Sequence, residues 1–249
     1  MPSTSEKGHA KNVDNFSLLI EVCKGFGTKY NPSKTSIKVA NLTIKLNQSK
    51  TQLQDVKDKD QAESTARNNR AIAFKDKGIF STKLLAAIKA TDATDETIAD
   101  AISINKKIQG ERLTAEKKAK PATEGAAEET PKTISTSQLS YTNIVDHYKK
   151  FKTLLTSIAT IYTPNEAELQ TTAVNAYITN LETLNNTVDT AATAASNSLI
   201  ARDKGFYDEK TGLPETAQDV KEYIKSVYGA SSPEYKMAAK IKFTYPPKK

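Results

Sequence analysis

The sequence contains the same succession of landmarks twice. Tyr30-Asn31-Pro32 precedes a long helical stretch that reaches Asp76-Lys77-Gly78, and Tyr162-Thr163-Pro164 precedes a second one that reaches Asp203-Lys204-Gly205. An apolar segment with helical spacing comes before each tyrosine. A tandem duplication is the simplest explanation of this pattern. It constrains the fold because each half must then carry the same helical architecture.

The first long stretch predicts one helix, with a hairpin as the alternative. Residues 34–75 contain neither glycine nor proline, the two residues that most often interrupt a helix. One apolar face can be drawn through this stretch, and it comprises Ile37, Ala40, Ile44, Leu53, Val56, Ala62, Ala66 and Ala73. The face weakens between Lys57 and Asp60, where a turn could separate two shorter helices. Residues 33–75 therefore form either one continuous helix or a hairpin.

The second long stretch shows the helical period more clearly. Its apolar face comprises Leu169, Ala173, Tyr177, Leu181, Leu184, Val188, Ala192, Ala195 and Leu199. Steps of three and four residues place these side chains on one side of an α-helix, so we expect a helix over residues 165–202. Such a helix is roughly 57 Å long at 1.5 Å per residue. It requires packing along this face, because long helices of mixed propensity are unstable alone.

Capping residues mark the ends of several helices. Ser33, Thr94 and Ser232 are suitable N-caps, because a hydroxyl can accept a hydrogen bond from an unpaired amide of the first turn. Gly110 stands where a left-handed residue commonly ends a helix. Pro233 directly after Ser232 strengthens the prediction of a last short helix.

The predicted fold class is all-α: an elongated antiparallel helical bundle with two long helices, built from two tandem related halves. Residues 111–137 are rich in Ala, Glu, Lys, Thr and Pro, a composition typical of a disordered linker. Whether the two halves share one core is left open. The predicted segments are a flexible N-terminus (1–11), helical half 1 (12–110), the disordered linker (111–137), helical half 2 (138–243) and a C-terminal tail (244–249).

Composition narrows the class of protein. Hydrophobic residues make up 37% of the chain, and no segment approaches the roughly 20 apolar residues that a transmembrane helix needs. The polar N-terminus lacks the apolar core of a secretory signal. Cys23 is the single cysteine, so an intramolecular disulfide is excluded. We therefore expect a cytoplasmic protein without a transmembrane segment.

The chemically reactive residues do not form a recognisable catalytic or metal-binding pattern. His9 falls in the predicted flexible N-terminus, and His147 follows Asp146 on a predicted surface helix, with Phe151 where a second metal ligand would stand. Cys23 lies on an apolar helix face, where a buried thiol is expected. Neither a phosphate-binding glycine loop nor a nucleophile elbow is present. We predict no catalytic, cofactor-binding or metal-binding residue.

A basic patch supplies one candidate interaction surface. The net charge of +7 lies almost wholly in residues 1–110, and Arg67 and Arg70 form its most arginine- and amide-rich part. Arginine donors of this kind are typical of nucleic-acid binding. Acidic residues are interleaved just upstream, among them Asp58 and Asp60, and they would repel a phosphate backbone. Surface lysines and arginines in water are the simpler interpretation.

The aromatic C-terminus supplies a second candidate surface. Tyr235, Ile241, Phe243 and Tyr245 stand among lysines near the end of the chain. These side chains either dock on the body of the protein or present an adhesive strip to a partner. Docking is the simpler expectation, because an exposed apolar tail promotes aggregation.

Several short segments, spread over nearly the whole chain, form a recognisable set: Lys7–Phe16, Tyr30–Ser33, Ala90–Thr94, Ile104–Gly110, Gly229–Lys236 and Lys240–Phe243. Together they resemble a family of bacterial proteins of about this length whose function is uncharacterised. The resemblance implies a bacterial origin and a full-length duplicated unit, but no activity, ligand or site.

These observations favour a non-enzymatic structural or protein-interaction helical-bundle protein that binds a protein partner or associates with itself. One alternative is a nucleic-acid-associated basic helical protein. Another is a latent membrane-active, pore-forming-like protein, because long amphipathic helices rich in Ala and Thr resemble those of helical pore formers. A continuous apolar hairpin, which such a protein would hide before insertion, is not visible in the sequence.

Overall fold

A computed structural model of the chain describes residues 4–110 and 139–245. These residues contain eight α-helices and no strand, so the predicted all-α class is confirmed. The predicted linker lies outside the described residues. The helices are α1 (Thr4–Gly25), α2 (Val39–Ala73), α3 (Lys77–Lys89), α4 (Asp95–Gln109), α5 (Tyr141–Ser157), α6 (Thr171–Tyr207), α7 (Leu213–Tyr228) and α8 (Pro233–Ala239).

The helices form two compact units that do not coincide with the two predicted halves. Unit 1 comprises Met1–Ser64 and Thr190–Lys249, and unit 2 comprises Thr65–Asp189. Unit 1 thus combines α1 and the first part of α2 with the last part of α6, α7 and α8. Unit 2 combines the last part of α2, α3 and α4 with α5 and the first part of α6. Each unit is built from segments of both halves.

The core of unit 1 lies where α1 packs against α7 and α8. Phe16 and Leu19 of α1 are fully buried, as are Val220 and Ile224 of α7. Phe206, near the end of α6, belongs to the same core and is also fully buried. Burial of one large apolar side chain contributes about 1.5–3 kcal/mol, so this cluster accounts for much of the stability of the unit.

The core of unit 2 lies where α4 packs against α3 and α5. Tyr148 and Phe151 of α5, Leu84 of α3 and Ile108 of α4 are all fully buried. The start of α6 contributes Val174, Ile178 and Leu181 to the same cluster.

Residues 39–73 form one continuous helix, which answers the question of helix or hairpin. A 3-10 helix at Thr35–Ile37 comes before it, and its N-cap residue is Lys34, so the prediction of Ser33 as an N-cap is wrong. The predicted caps at Thr94 and Ser232 are confirmed, because their side chains accept hydrogen bonds from Thr97 and Tyr235 amides.

The two long helices are shifted relative to their predicted ends and faces. α6 does not stop at Arg202 but continues through Gly205 to Tyr207. Leu199 is 42% exposed and Ile44 is 54% exposed, although both were placed on buried faces. Successive steps of four residues each rotate about 40° beyond a full turn, so a face drawn mainly with such steps drifts toward solvent.

The prediction that residues 1–11 are flexible is wrong for the residues from Thr4 onward, which belong to α1. α1 begins at Thr4, and His9 is only 5% exposed within it. Asn12 is also buried, and its side chain forms hydrogen bonds with Thr244 near the other end of the chain. Because that partner is remote in sequence, local composition does not reveal the order of this segment.

Candidate functional site

A buried tyrosine fixes the turn before each long helix. The Tyr30 hydroxyl donates a 2.7 Å hydrogen bond to the carbonyl oxygen of Ile37, and the Tyr162 hydroxyl donates a 2.7 Å bond to that of Leu169. Burial raises the pKa of both hydroxyls, that of Tyr162 to about 12, so both remain donors at neutral pH. The two repeated motifs therefore form turns with the same hydrogen bond.

The offset along the sequence that relates Tyr30 to Tyr162 also relates buried residues elsewhere in the two halves. The pairs are Phe16 and Tyr148, Leu19 and Phe151, Leu42 and Val174, Leu46 and Ile178, Val56 and Val188, and Phe74 and Phe206. In every pair, one residue lies in unit 1 and the other in unit 2. Residues at this constant offset thus occupy buried positions in different units.

A polar cluster lies beside the core of unit 1. The Arg202 side chain is 5% exposed, and its Nε and Nη2 atoms donate hydrogen bonds of 3.0 and 2.8 Å to Asp203 Oδ1. His9 Nε2 lies 3.2 Å from the same oxygen. The His9 ring contacts the Phe206 ring edge-on, with centroids 5.4 Å apart. This cluster anchors the N-terminal part of α1 to the end of α6.

Arg70 in unit 2 is related to Arg202 by the same offset that relates Tyr30 to Tyr162. It is also one of the two arginines of the predicted basic patch. Its guanidinium carbon lies 4.1 Å from the centroid of the Tyr141 ring, a cation–π contact. Arg67 is exposed. The structure therefore packs Arg70 against α5 and leaves Arg67 on the surface, so it does not present the two arginines as one free pair.

The C-terminal segment docks on unit 1. Asn12 Nδ2 donates a 2.8 Å hydrogen bond to the Thr244 carbonyl, and Asn12 Oδ1 accepts a 2.9 Å bond from the Thr244 amide. Lys221 Nζ donates a 2.6 Å bond to the Ile241 carbonyl. One asparagine side chain thus pairs with both backbone groups of a residue, in the manner of a second peptide.

The aromatic and apolar residues of this segment differ in burial. Ile241 is 6% exposed, and Phe243 packs on the same core with its ring centroid 6.4 Å from that of Phe16. Tyr235 is also partly buried there. Tyr245 is 60% exposed, although its hydroxyl donates a 3.0 Å hydrogen bond to Glu215. Docking therefore describes most of this candidate surface, and its role as an interaction surface stays a prediction.

The prediction that His147 lies on a surface helix is wrong. It is 3% exposed on the face of α5 that carries the fully buried Tyr148 and Phe151. Burial, together with the nearby positive charges of Lys150 and Lys107, lowers its pKa. The imidazole is therefore neutral at neutral pH.

Cys23 is buried, as predicted. It is 1% exposed, and burial raises the pKa of its thiol to about 11. The thiolate is the nucleophilic form, so a thiol with this pKa is a weak nucleophile at neutral pH.

Each unit carries at least one open polar groove. The groove of unit 2 has a volume of about 600 Å³, and its hydroxyls mostly bond within their own helix, as when Thr153 donates to the Lys149 carbonyl. Lys149 Nζ lies 2.7 Å from Glu182 Oε1 in the same groove. The groove of unit 1, about 740 Å³, lies where the Gln52 side chain approaches Gly205. In the groove of unit 2, the hydrogen bond and the negative charge of Glu182 raise the pKa of Lys149, so its amine is protonated at neutral pH.

Within the described residues, no group of three or more histidine, cysteine or acidic side chains is positioned to hold a metal ion. No helix there combines the length and apolar character needed to cross a membrane. Comparisons of the chain with protein-family models, with curated proteins and with solved structures found no match.

Proposed function

We propose that this chain is a non-enzymatic helical-bundle protein that acts through protein association, in a structural or interaction role. The observation that carries the proposal is the construction of the two cores. In each unit, helices from one half of the sequence are covered by helices from the other half. Large apolar helix faces that bind other helices are therefore the main chemical feature of the chain.

A tandem duplication is part of the proposal. The constant offset between the two tyrosine turns and between six further pairs of buried residues supports a common origin of the two halves. Duplication would also explain why each half supplies complementary helices to the other. The resemblance to bacterial proteins and the single buried cysteine fit a bacterial, cytoplasmic protein.

The placement of the reactive side chains supports a role other than catalysis. Cys23 and His147 are both almost fully buried and flanked by apolar core residues. Each has the pKa shift that burial causes: upward for the thiol and downward for the imidazole. Neither group is presented to a substrate in solution.

Surface residues favour protein partners over nucleic acid. Ile72, Ile79 and Ile200 are 70%, 62% and 66% exposed. Arg70 is engaged by Tyr141 and therefore contributes less to the basic patch. Upstream on α2, Lys59 lies 3.9 Å from Asp55, so a positive charge there is offset by a negative one.

The test is size-exclusion chromatography with light scattering on the intact protein, at low and high salt and over a range of protein concentrations. Apolar association predicts a defined assembly that persists at high salt. Nucleic acid that co-elutes only at low salt would support the nucleic-acid alternative, because phosphate contacts weaken steeply as salt rises. Leakage from liposomes would support the membrane-active alternative.

A further inference from the structure

The core of unit 1 depends on contacts between the two halves. The ring of Tyr30 packs edge-on against that of Tyr223, with centroids 5.2 Å apart, and the Tyr223 hydroxyl accepts a 3.1 Å hydrogen bond from the Asn31 amide. Lys34 forms an ion pair with Asp219. Thus apolar, hydrogen-bonding and charged contacts all link half 1 to α7.

Unit 2 shows the reciprocal arrangement. The ring of Phe80 in α3 packs against that of Tyr177 in α6, with centroids 4.7 Å apart, and Phe74 packs against Tyr141 at the same distance. The Tyr148 hydroxyl donates a hydrogen bond to the Lys77 carbonyl. Here the end of α2 and α3 belong to half 1, and α5 and α6 to half 2.

These contacts leave neither half with a complete core of its own. Within half 1, α3 packs on α4, but α1 lies in the other unit and packs on α7 and α8. If half 2 were removed, the fully buried side chains of Phe16 and Leu19 would lose the α7 residues that cover them. A half alone would therefore expose large apolar faces to water.

The ends of the halves meet in both units, although the sequence links them in only one. In unit 2, a Cβ atom at Gly110 would lie 2.8 Å from Leu139 Cδ1, so the end of α4 adjoins the segment before α5. In unit 1, the chain's two terminal segments meet, and a Cβ atom at Gly8 would lie 3.6 Å from Thr244 Oγ1. The contacts that hold the ends of the two halves together in unit 1 are therefore non-covalent.

We infer that half 1 and half 2 are specific binding partners for each other, and that a second copy of this chain can supply either half. The covalent link raises the effective concentration of the partner half. Two copies that exchange halves would form the same cores with the same residues, as in domain swapping. This inference rests on the proposed function, because it names the partner that the helix faces bind.

The test uses the full-length chain with a specific protease site inserted between Glu124 and Gly125. One batch is labelled with ¹⁵N and another is unlabelled. Each is folded, cleaved at the inserted site and kept under native conditions. The two batches are then mixed, unfolded in denaturant, refolded together and examined by native mass spectrometry.

The expected result is that the cleaved halves stay together before denaturation. After joint refolding, about half of all pairs should combine a labelled half with an unlabelled one, the statistical limit for specific partners of equal affinity. Halves that separate on cleavage and each keep their helical structure would overturn the inference. That result would not contradict the proposed function, which is tested by whether the intact protein forms an assembly that persists at high salt.

A matched pair of variants on α7 tests which surface carries the pairing. Val220 is fully buried, whereas Val227 is 44% exposed on the same helix. Val220→Asp should reduce the fraction of paired halves about tenfold or more, because it buries an uncompensated charge. Val227→Asp makes the same chemical change on the exposed face and should leave pairing unchanged. Equal effects of the two variants would contradict pairing through the described core.

Discussion

Unit 2 is one continuous stretch of sequence, whereas unit 1 is assembled from the two terminal segments of the chain. Both units pack short helices against parts of α2 and α6, and both use a buried tyrosine to close the turn before a long helix. In unit 1, the two chain ends are held by side-chain contacts such as those between Asn12 and Thr244. The comparison teaches that the arrangement of helices in a unit depends on its core residues and not on whether the unit is one continuous stretch of sequence.

The two units also differ in the polar chemistry at corresponding positions. Arg202 bonds to Asp203 beside His9 in unit 1, whereas Arg70 lies over the Tyr141 ring in unit 2. The offset that relates the two arginines also relates His9 to Tyr141. In unit 1, His9 of α1 lies close to Asp203, the residue after the arginine, whereas in unit 2 the arginine itself lies over the first residue of α5. The corresponding positions therefore differ in which residue makes the contact between the halves.

The largest expected effect comes from truncating a core phenylalanine in one unit at a time. Phe206 in unit 1 is fully buried and Phe74 in unit 2 is 3% exposed. Replacing either by alanine should cost about 3–5 kcal/mol of unfolding free energy. Amide hydrogen exchange should rise in α1 and α7 for Phe206→Ala, and in α3 and α5 for Phe74→Ala.

This pair of variants can break the comparison. If Phe206→Ala raised exchange in α5 and α7 but not in α1, the halves of the sequence, rather than the two mixed units, would be the cooperative elements. The result separates these cases, because α5 and α7 belong to the same half as Phe206 but to different units, whereas α1 shares only the unit.

A second test compares two leucines of α6 in unit 2. Leu181 is fully buried, and Leu184 is partly exposed on the same helix. Leu181→Ala should cost about 2–5 kcal/mol, measured by chemical denaturation, because it leaves a cavity in the core. Leu184→Ala should cost clearly less. A change below about 0.5 kcal/mol at Leu181 would be inconsistent with its place in the core.

The sequence predicts the existence of the two long helices better than it predicts which of their faces are buried. Periodicity identifies Leu181 and Val188 as buried, and both are. It misses Leu42 and Val174, because the 3-10 turns tied by the two tyrosine hydroxyls set where each helix starts. A one-residue shift rotates a helix by about 100°, so this local detail determines which face is buried.

The remote contacts are where sequence reasoning fails most. Asn12 and Thr244 stand near opposite ends of the chain, so no local pattern indicates that they pair. The sequence places His147 beside Asp146 on a surface helix, yet it is 3% exposed on α5, which packs against α4. The exchange of helices between halves is likewise a tertiary property that periodicity within one helix does not encode.

Because Asn12 holds the C-terminal segment on unit 1, we expect its replacement to lower the free energy of unfolding moderately. Asn12→Ala removes the bonds to both backbone groups of Thr244 and should cost about 1–3 kcal/mol, since a typical hydrogen bond contributes about 0.5–1.5 kcal/mol net. Limited proteolysis should then release the C-terminal segment more rapidly. Asn15→Ala is the control, because Asn15 is only partly buried and its side chain donates a hydrogen bond to the Lys242 carbonyl of the same segment. Equal effects of the two variants would argue against a special role for the hydrogen bonds between Asn12 and Thr244 in holding the C-terminal segment.

His147 makes the stability of unit 2 depend on pH. Burial lowers its pKa in the folded state below the ordinary value of 6.5, so the unfolded state binds a proton first as pH falls. The stabilising contribution is therefore complete above about pH 6.5 and is lost progressively below it. The protection factors of the α4 and α5 amides, which correct for the intrinsic pH dependence of exchange, should fall between pH 7 and pH 5.5, and His147→Phe should reduce this fall. An identical pH response in the variant would exclude His147 as its source.

The smallest expected effect comes from shortening the covalent link in unit 2. Gly110 has φ +79° and lies against Leu139, so a short connection suffices to join α4 to the segment before α5. Deleting residues 113–132 leaves residues 111–112 and 133–138 to make this connection, and loop-closure entropy changes only slowly with length. We expect circular dichroism and Tm to be nearly unchanged. A large loss of either would show that the deleted residues take part in the packing of unit 2, and that unit 2, unlike unit 1, depends on its covalent link.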